Sequence, residues 1–151
     1  DAFRAEAQQE ALTRCRLPDL AARLEETARW DRVLSLGEQQ RLGFARLLLH
    51  RPRWVFLDEA TSALDEANQT AMFAVLAEAL PDSAVLTIGH RPGLALLHDR
   101  VLTMVPSPEG ARLVPVAPAV SHPELPRVIR RRDTGSGRRP LNRRPAVPSA
   151  G

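Results

Sequence analysis

The stretch that decides the fold is 34–65, which reads LSLGEQQRLGFARLLLHRPRWVFLDEATSALD. In order, it contains a turn of small residues that opens a helix, an apolar strand, and two adjacent carboxylates where the strand ends. The strand is the run 54–57, WVFL, and such continuous apolar character is typical of a strand buried on both faces of a parallel sheet. We therefore expect an α/β fold with this strand at its centre.

The two acids that follow the strand are Asp58 and Glu59. Ligands of open α/β sheets bind at the carboxyl ends of the strands, and a carboxylate there needs a cation or hydrogen-bond donors to compensate its burial. An acid held against Mg²⁺ and phosphate at a strand end is the arrangement of P-loop NTPases, and the second acid would polarise an attacking water. For an isolated pair of acids, the favoured alternative is a solvated end to the strand.

The turn before the helix consists of Ser35, Leu36 and Gly37. Ser35 is a natural helix cap, Gly37 lets the backbone approach a ligand closely, and an acid such as Glu38 suits the first turn of a helix. The free N–H groups of a helix start form an anion site. An ordinary capped core helix over 38–49 is the alternative, and both interpretations hold together if the body packs while the tip binds.

These residues resemble the motifs of the ATP-binding cassette (ABC) ATPases. The segment 34–41, LSLGEQQR, is similar to the signature motif LSGGQ, with Leu36 in place of its first Gly and Glu38 in place of its Gln. The segment 54–59 resembles the Walker B strand with its catalytic Glu, 62–65 the D-loop, and 87–91 the strand and switch histidine. The resemblance covers roughly 1–116 and is strongest to half-transporters with fused permease and ATPase, in the SbmA/BacA-like and subfamily D groups.

The resemblance implies ATP hydrolysis between two cassettes that face each other head to tail, as a homodimer or a heterodimer. Asp58 would hold Mg²⁺, Glu59 would act as general base, and His90 would sense the γ-phosphate. The remaining site residues, Ser35, Gly37, Glu38 and Asp65, would contact ATP across the interface between the cassettes.

The phosphate-binding loop of this family, GxxxxGK[ST], is not found in the sequence, which contains no Lys. The family's order places that loop and the Q-loop before the signature, where 33 residues precede Leu34. We therefore expect the chain to be the C-terminal piece of a longer protein or the product of a truncated gene. We also expect that alone it neither binds ATP tightly nor hydrolyses it.

Three segments are predicted along the chain. The first, 1–33, is the end of the helical subdomain, with one helix over 2–16 and a short second helix that carries Leu20, Leu24 and Ala28. The second, 34–120, is the signature helix and the C-terminal half of a P-loop NTPase core with a parallel sheet. Its later elements are a helix over 66–80, a strand over 84–88, a short helix over 92–97, and a hairpin of 100–105 with 111–116 that extends the core sheet. The third, 121–151, is a disordered tail rich in Arg and Pro.

Charge and cysteine content limit the partners. All 21 basic residues are Arg, and the net charge of +3 divides into +6 for 121–151 and −3 for the rest of the chain. Such a tail suits anionic lipid headgroups, while its lack of aromatic side chains disfavours nucleic acid; a solvated tail without a partner is the alternative. The single cysteine, Cys15, allows no intrachain disulfide and is predicted to pack in the core.

Three classes of function remain open from the sequence. The first is the ATPase half of a membrane transporter, which couples ATP hydrolysis to transport at the cytoplasmic face of a bacterial inner membrane with a transmembrane permease domain. The second is a soluble cassette ATPase that acts on ribosomes or DNA. The third is a non-catalytic remnant or regulatory partner.

Overall fold

The computed structural model describes residues 3–116, except for the side chain of Pro92. Its elements in chain order are α1 (Ala5–Arg14), α2 (Pro18–Ala21), α3 (Trp30–Val33), α4 (Leu36–His50), β1 (Trp54–Asp58), α5 (Glu66–Ala79), β2 (Ala84–Ile88), α6 (Pro92–Ala95), β3 (Val101–Ser107) and β4 (Gly110–Val116). The predicted tail, 121–151, lies outside the described residues.

A parallel pair of strands lies at the centre, as predicted. β1 pairs with β2 in parallel, so that Trp54 lies beside Ala84 and Asp58 beside Ile88. The connection between them runs through α5, which makes a βαβ unit. The mixed α/β fold with its parallel sheet is therefore confirmed.

The prediction that β1 is buried on both faces was wrong. Val55 and Leu57 are buried, whereas Trp54 and Phe56 have 67% and 71% of their surface exposed. Burial alternates along the strand because the described helices cover only one face of this two-stranded sheet. Leu86 and Ile88 of β2 are exposed as well.

The hydrophobic core lies between this sheet and the helices α1, α4 and α5. Phe44 of α4 and Phe73 of α5 meet edge to face with ring centroids 6.1 Å apart, and both rings are fully buried. Cys15 is also fully buried at the end of α1, as expected for a packing role. His98 packs against Phe73 while its ring nitrogens bond to the Leu94 carbonyl and the Thr87 hydroxyl.

Two local predictions need correction. The hairpin of β3 and β4 forms with the expected antiparallel pairing, but it is a separate two-stranded sheet and does not extend the core sheet. The second N-terminal helix ends at Ala21, before Leu24 and Ala28, and a short helix that was not predicted, α3, precedes the signature residues. In the part of the chain described here, no helix is both long enough and apolar enough to span a bilayer.

Candidate functional site

The carboxyl ends of β1 and β2 place the strand-end acids and the histidine segment side by side. Asp58 pairs in register with Ile88, and the amide of Glu59 donates to the Ile88 carbonyl at 3.0 Å. Glu59 has a φ of 48°, in the left-handed region that non-glycine residues rarely adopt. The left-handed residue turns the chain out of the strand immediately after its last ladder bond.

Glu59 and His90 are in direct contact. His90 Nδ1 donates to Glu59 Oε1 at 2.9 Å, and the side chains are 83% and 42% exposed for His90 and Glu59 respectively. A ring that donates to one carboxylate oxygen fixes the orientation of that carboxylate while the other oxygen stays available to a water. The two side chains that the sequence assigned to catalysis therefore form one hydrogen-bonded pair.

Gly89, between β2 and α6, lies close to the side chain of Leu94. A Cβ on this residue would lie 2.5 Å from Leu94 Cδ1, closer than such atoms approach in proteins. A side chain at this position would therefore require the buried side chain of Leu94 to shift. The sequence identified Gly89 only as the end of a strand.

Asp58, the predicted Mg²⁺ ligand, lies exposed at the end of β1. Within residues 3–116 there is no cluster of three or more His, Cys, Asp or Glu side chains that could hold a metal ion. Mg²⁺ in nucleotide sites takes one or two carboxylates and completes its coordination with phosphates and water. An exposed strand-end carboxylate fits that role and would hold the ion only together with a nucleotide.

Helix α4 begins with a complete capping box. The Ser35 amide and hydroxyl donate to Glu38 Oε2 at 2.8 and 2.6 Å, and the Ser35 hydroxyl accepts from the Glu38 amide at 3.3 Å. These hydrogen bonds from the Ser35 side chain and backbone hold the pKa of the Glu38 carboxyl below its ordinary value. The carboxylate thus occupies part of the helix start that the sequence assigned to an anion.

Gly37 packs against the loop that follows β1. A Cβ at Gly37 would lie 3.3 Å from the Ala63 carbonyl oxygen and 3.6 Å from a methyl of Leu64. Within this chain the close approach at Gly37 is to a neighbouring loop, and the predicted approach to a ligand stays a prediction. Leu36, which replaces the first Gly of the signature pattern, is 61% exposed.

Asp65 caps helix α5. Its Oδ1 accepts from the Asn68 amide at 2.7 Å, and its Oδ2 accepts from the Asn68 side chain at 3.0 Å. Both carboxylate oxygens are thus bonded within the chain. A contact across a cassette interface would have to share these oxygens with the cap.

Two polar side chains outside the predicted site residues contact the segment 59–65, which we call the D-loop segment. Gln40 of α4 bonds to it at three atoms, and Arg91, the residue after His90, bonds to two of its carbonyls. Hydrophobic periodicity identifies apolar faces, so it gives no signal for a polar residue such as Gln40 within a helix or Arg91 beside a proline. The sequence indicated them only by position, since Gln40 lies three residues after Gly37 and Arg91 directly follows His90.

Comparison with known proteins gives similarity to ABC transporters over part of the chain. The model of the family described as ABC transporter matches residues 3–62. An ABC transporter ATP-binding protein of Haemophilus influenzae is 46% identical over 95 residues, which are 63% of this chain and 16% of that protein. The inner membrane ABC transporter ATP-binding protein YddA of Escherichia coli is 44% identical over 92 residues, 61% of this chain and 16% of its own length.

A subfamily D relative is similar over the same part of the chain. The chloroplastic ABC transporter D family member 2 of Arabidopsis thaliana is 48% identical over 79 residues, which cover 52% of this chain and 11% of the relative. The likeness to subfamily D is therefore confirmed, and the likeness to the SbmA/BacA-like group stays a prediction. The chain spans less than a fifth of the length of these curated relatives. Over the matched residues, the chain is similar to the ATP-binding proteins of ABC transporters.

Proposed function

We propose that the chain is part of the nucleotide-binding domain of an ABC transporter, in which ATP binding and hydrolysis are coupled to transport across a membrane. The observation that carries the proposal is the Glu59–His90 pair, joined at 2.9 Å where two parallel strands end. This pair lies in a chain whose relatives are ABC transporter ATP-binding proteins.

In the proposed reaction, a water attacks the γ-phosphorus of ATP and the bond from that phosphorus to the β–γ bridging oxygen breaks. Glu59 takes the proton of the attacking water through the carboxylate oxygen that His90 leaves open. His90 holds the other oxygen, and the fixed backbone of Glu59, bonded to Ile88, keeps the carboxylate at the strand end. Orienting a water and a base in this way is the larger part of what a protein contributes to phosphoryl transfer.

Mg²⁺ would be held by Asp58 together with the phosphates, and when bound it supplies charge neutralisation on the β- and γ-phosphate oxygens. Ser35, Gly37 and Glu38 would face ATP held by a second cassette, and Asp65 would reach towards the same interface. Because Glu38 already occupies the helix start in the chain, we propose that it turns away when a phosphate approaches.

The proposed partners are a second ABC cassette, identical or related, and a transmembrane permease domain. The proposed location is the cytoplasmic face of a bacterial inner membrane. It is supported by the E. coli relative, whose name places it at the inner membrane. A contact of the Arg-rich segment 121–151 with anionic lipid belongs to the same proposal.

The test is a chimera in which the matching stretch of the E. coli relative is replaced by that of this chain. Replacement of a general base lowers turnover by about 10²- to 10⁴-fold, so Glu59→Gln should abolish most MgATP hydrolysis while leaving MgATP binding intact. Glu66→Gln, which changes an exposed acid in the first turn of α5, serves as the control.

Three outcomes decide the proposal. Turnover that needs Glu59 and survives Glu66→Gln supports it. Equal turnover in both variants would exclude Glu59 as the base. A chimera that binds MgATP without hydrolysing it would identify the segment as non-catalytic.

A further inference from the structure

The D-loop segment carries Glu59, the proposed general base, at its start and Asp65, the cap of α5, at its end. Inside it, the Ser62 amide donates to the Glu59 carbonyl at 3.0 Å, and the Leu64 amide donates to the Thr61 carbonyl at 3.1 Å. These are tight turns with few internal bonds, so a conformation of this kind needs support from outside the segment. Two side chains on opposite sides provide it.

Gln40 supports the segment from helix α4. Its Nε2 donates to the Glu59 carbonyl at 3.2 Å and to the Ser62 hydroxyl at 2.9 Å, and its Oε1 accepts from the Ala63 amide at 3.0 Å. Both ends of the amide are thus used, which fixes the orientation of the side chain. Gln40 lies one turn after Gly37, where an added Cβ would lie 3.3 Å from the Ala63 carbonyl oxygen.

Arg91 supports the segment from the other side. Its Nη1 donates to the Thr61 carbonyl at 3.0 Å, to the Leu64 carbonyl, and to Gln69 Oε1 at 3.4 Å. Gln69 is buried and also accepts from the Thr61 hydroxyl at 3.1 Å, so the guanidinium bonds to a group that is itself fixed. Arg91 follows His90 directly in the chain.

We propose that Gln40 and Arg91 are positioning residues that act through the D-loop segment to couple the start of α4 to the Glu59–His90 pair. Neither side chain touches the reacting atoms in the proposed mechanism. Each sets where the segment lies, and the segment sets the backbone of Glu59. A displacement at the start of α4 is thereby transmitted to the catalytic carboxylate. The coupling to catalysis rests on the proposed function, whereas the mutual dependence of the two contacts is a property of the fold alone.

Amide hydrogen exchange, measured by NMR on the full 151-residue chain without nucleotide, tests the mutual dependence. Loss of the Gln40 acceptor in Gln40→Met should speed exchange of the Ala63 amide by about five- to tenfold. Arg91→Met should speed exchange of Leu64, and also of Ala63, although Arg91 makes no bond to Ala63. Arg91→Lys, which keeps the charge and one donor group, should give an intermediate rate.

Matched controls separate the contact from the chemical change. Gln9→Met makes the same change on the exposed face of α1, and Arg46→Met makes it on the exposed face of α4. Neither residue makes a side-chain hydrogen bond to the segment, so exchange at Ala63 and Leu64 should change less than about twofold. The Phe73 amide in the core reports any loss of global stability.

A spectroscopic signature tests whether the effect reaches the catalytic pair. Because Gln40 bonds to the Glu59 carbonyl, Gln40→Met should move the ¹⁵N resonance of His90 Nδ1, which Gln40 does not touch. The controls should leave that resonance in place.

Two results would overturn the proposal. One is unchanged Ala63 exchange in Arg91→Met, which would make the two contacts independent. The other is acceleration by the same factor at Phe73, which would reduce the effect to global destabilisation. Both measurements are made without ATP, so their outcome does not depend on the outcome of the chimera experiment.

Discussion

Replacing Glu38 by Gln removes the charge of the capping box while keeping its shape. In the structure the carboxylate accepts two hydrogen bonds from Ser35, at 2.8 and 2.6 Å. A glutamine retains one acceptor oxygen and loses the charge assistance that shortens such bonds. It also restores the residue that the signature pattern has at this position.

The expected loss of stability is about 1 kcal/mol at pH 7, the size of a typical helix cap, because the site is partly exposed and solvent weakens the interaction. The pKa of Glu38 lies below its ordinary value of 4.5 in the folded chain because of the Ser35 hydrogen bonds. The carboxylate therefore stabilises the fold above that ordinary value, and the stabilisation disappears as the pH falls through the folded pKa. The difference in the free energy of unfolding between Glu38→Gln and the unmodified chain should therefore disappear as the pH falls through the folded pKa of Glu38.

Urea unfolding followed by circular dichroism, from pH 7 down to about pH 3, measures this difference. Glu25→Gln is the control, since Glu25 is exposed and its carboxylate makes no hydrogen bond within the described residues. Two results would refute the role of the charged cap. One is a loss of unfolding free energy in Glu38→Gln that stays constant with pH. The other is a loss no larger than that of Glu25→Gln. In the chimera, Glu38→Gln should strengthen MgATP binding across a cassette interface, because it removes a negative charge beside a phosphate.

Three further predictions concern the core and the sheet. Burial raises the pKa of the Cys15 thiol to about 11, so a thiol reagent at pH 8 should label it slowly in the folded chain and rapidly in urea; fast labelling of folded chain would contradict its burial. Gly89→Ala should lower the free energy of unfolding by about 1–3 kcal/mol, because the added Cβ meets Leu94. Gly43→Ala, at an open position in α4, should instead raise it by up to about 1 kcal/mol. Equal effects of the two substitutions in thermal unfolding would show that the close contact at Gly89 is absent. Leu57→Ala should lower the free energy of unfolding by about 2–3 kcal/mol, and Phe56→Ala by less than about 0.5 kcal/mol. A larger loss for Phe56→Ala would show that the second face of β1 is covered.

The central elements could be predicted from the sequence because their signals are local. Ser35 and Glu38 mark the start of α4, Asp65 marks the start of α5, and two apolar runs give the strands. The expectation for Phe56 failed for a different reason. An apolar run indicates that a strand can be buried on both faces, but covering the second face requires another element, which is not found among residues 3–116.

The sequence predicted which residue types meet at the site, but it did not predict the hydrogen bonds that hold the site together. The strand ends brought Glu59 and His90 together as their positions suggested, since parallel strands end at one edge. The contacts of Gln40 and Arg91 depend on how three separated segments meet, and no periodic pattern reports that. The role of Gly89 likewise appears only when the position of Leu94 is known.

The left-handed backbone at Glu59 has an evolutionary consequence. A non-glycine residue in this conformation carries a strain of about 1 kcal/mol, and glycine at the same position would be free of it. Selection for thermal stability alone would therefore favour Glu59→Gly, a change that deletes the proposed base. Stability and the proposed chemistry therefore favour different residues at position 59. Random variants at this position that gain stability should be found among those that have lost ATP turnover.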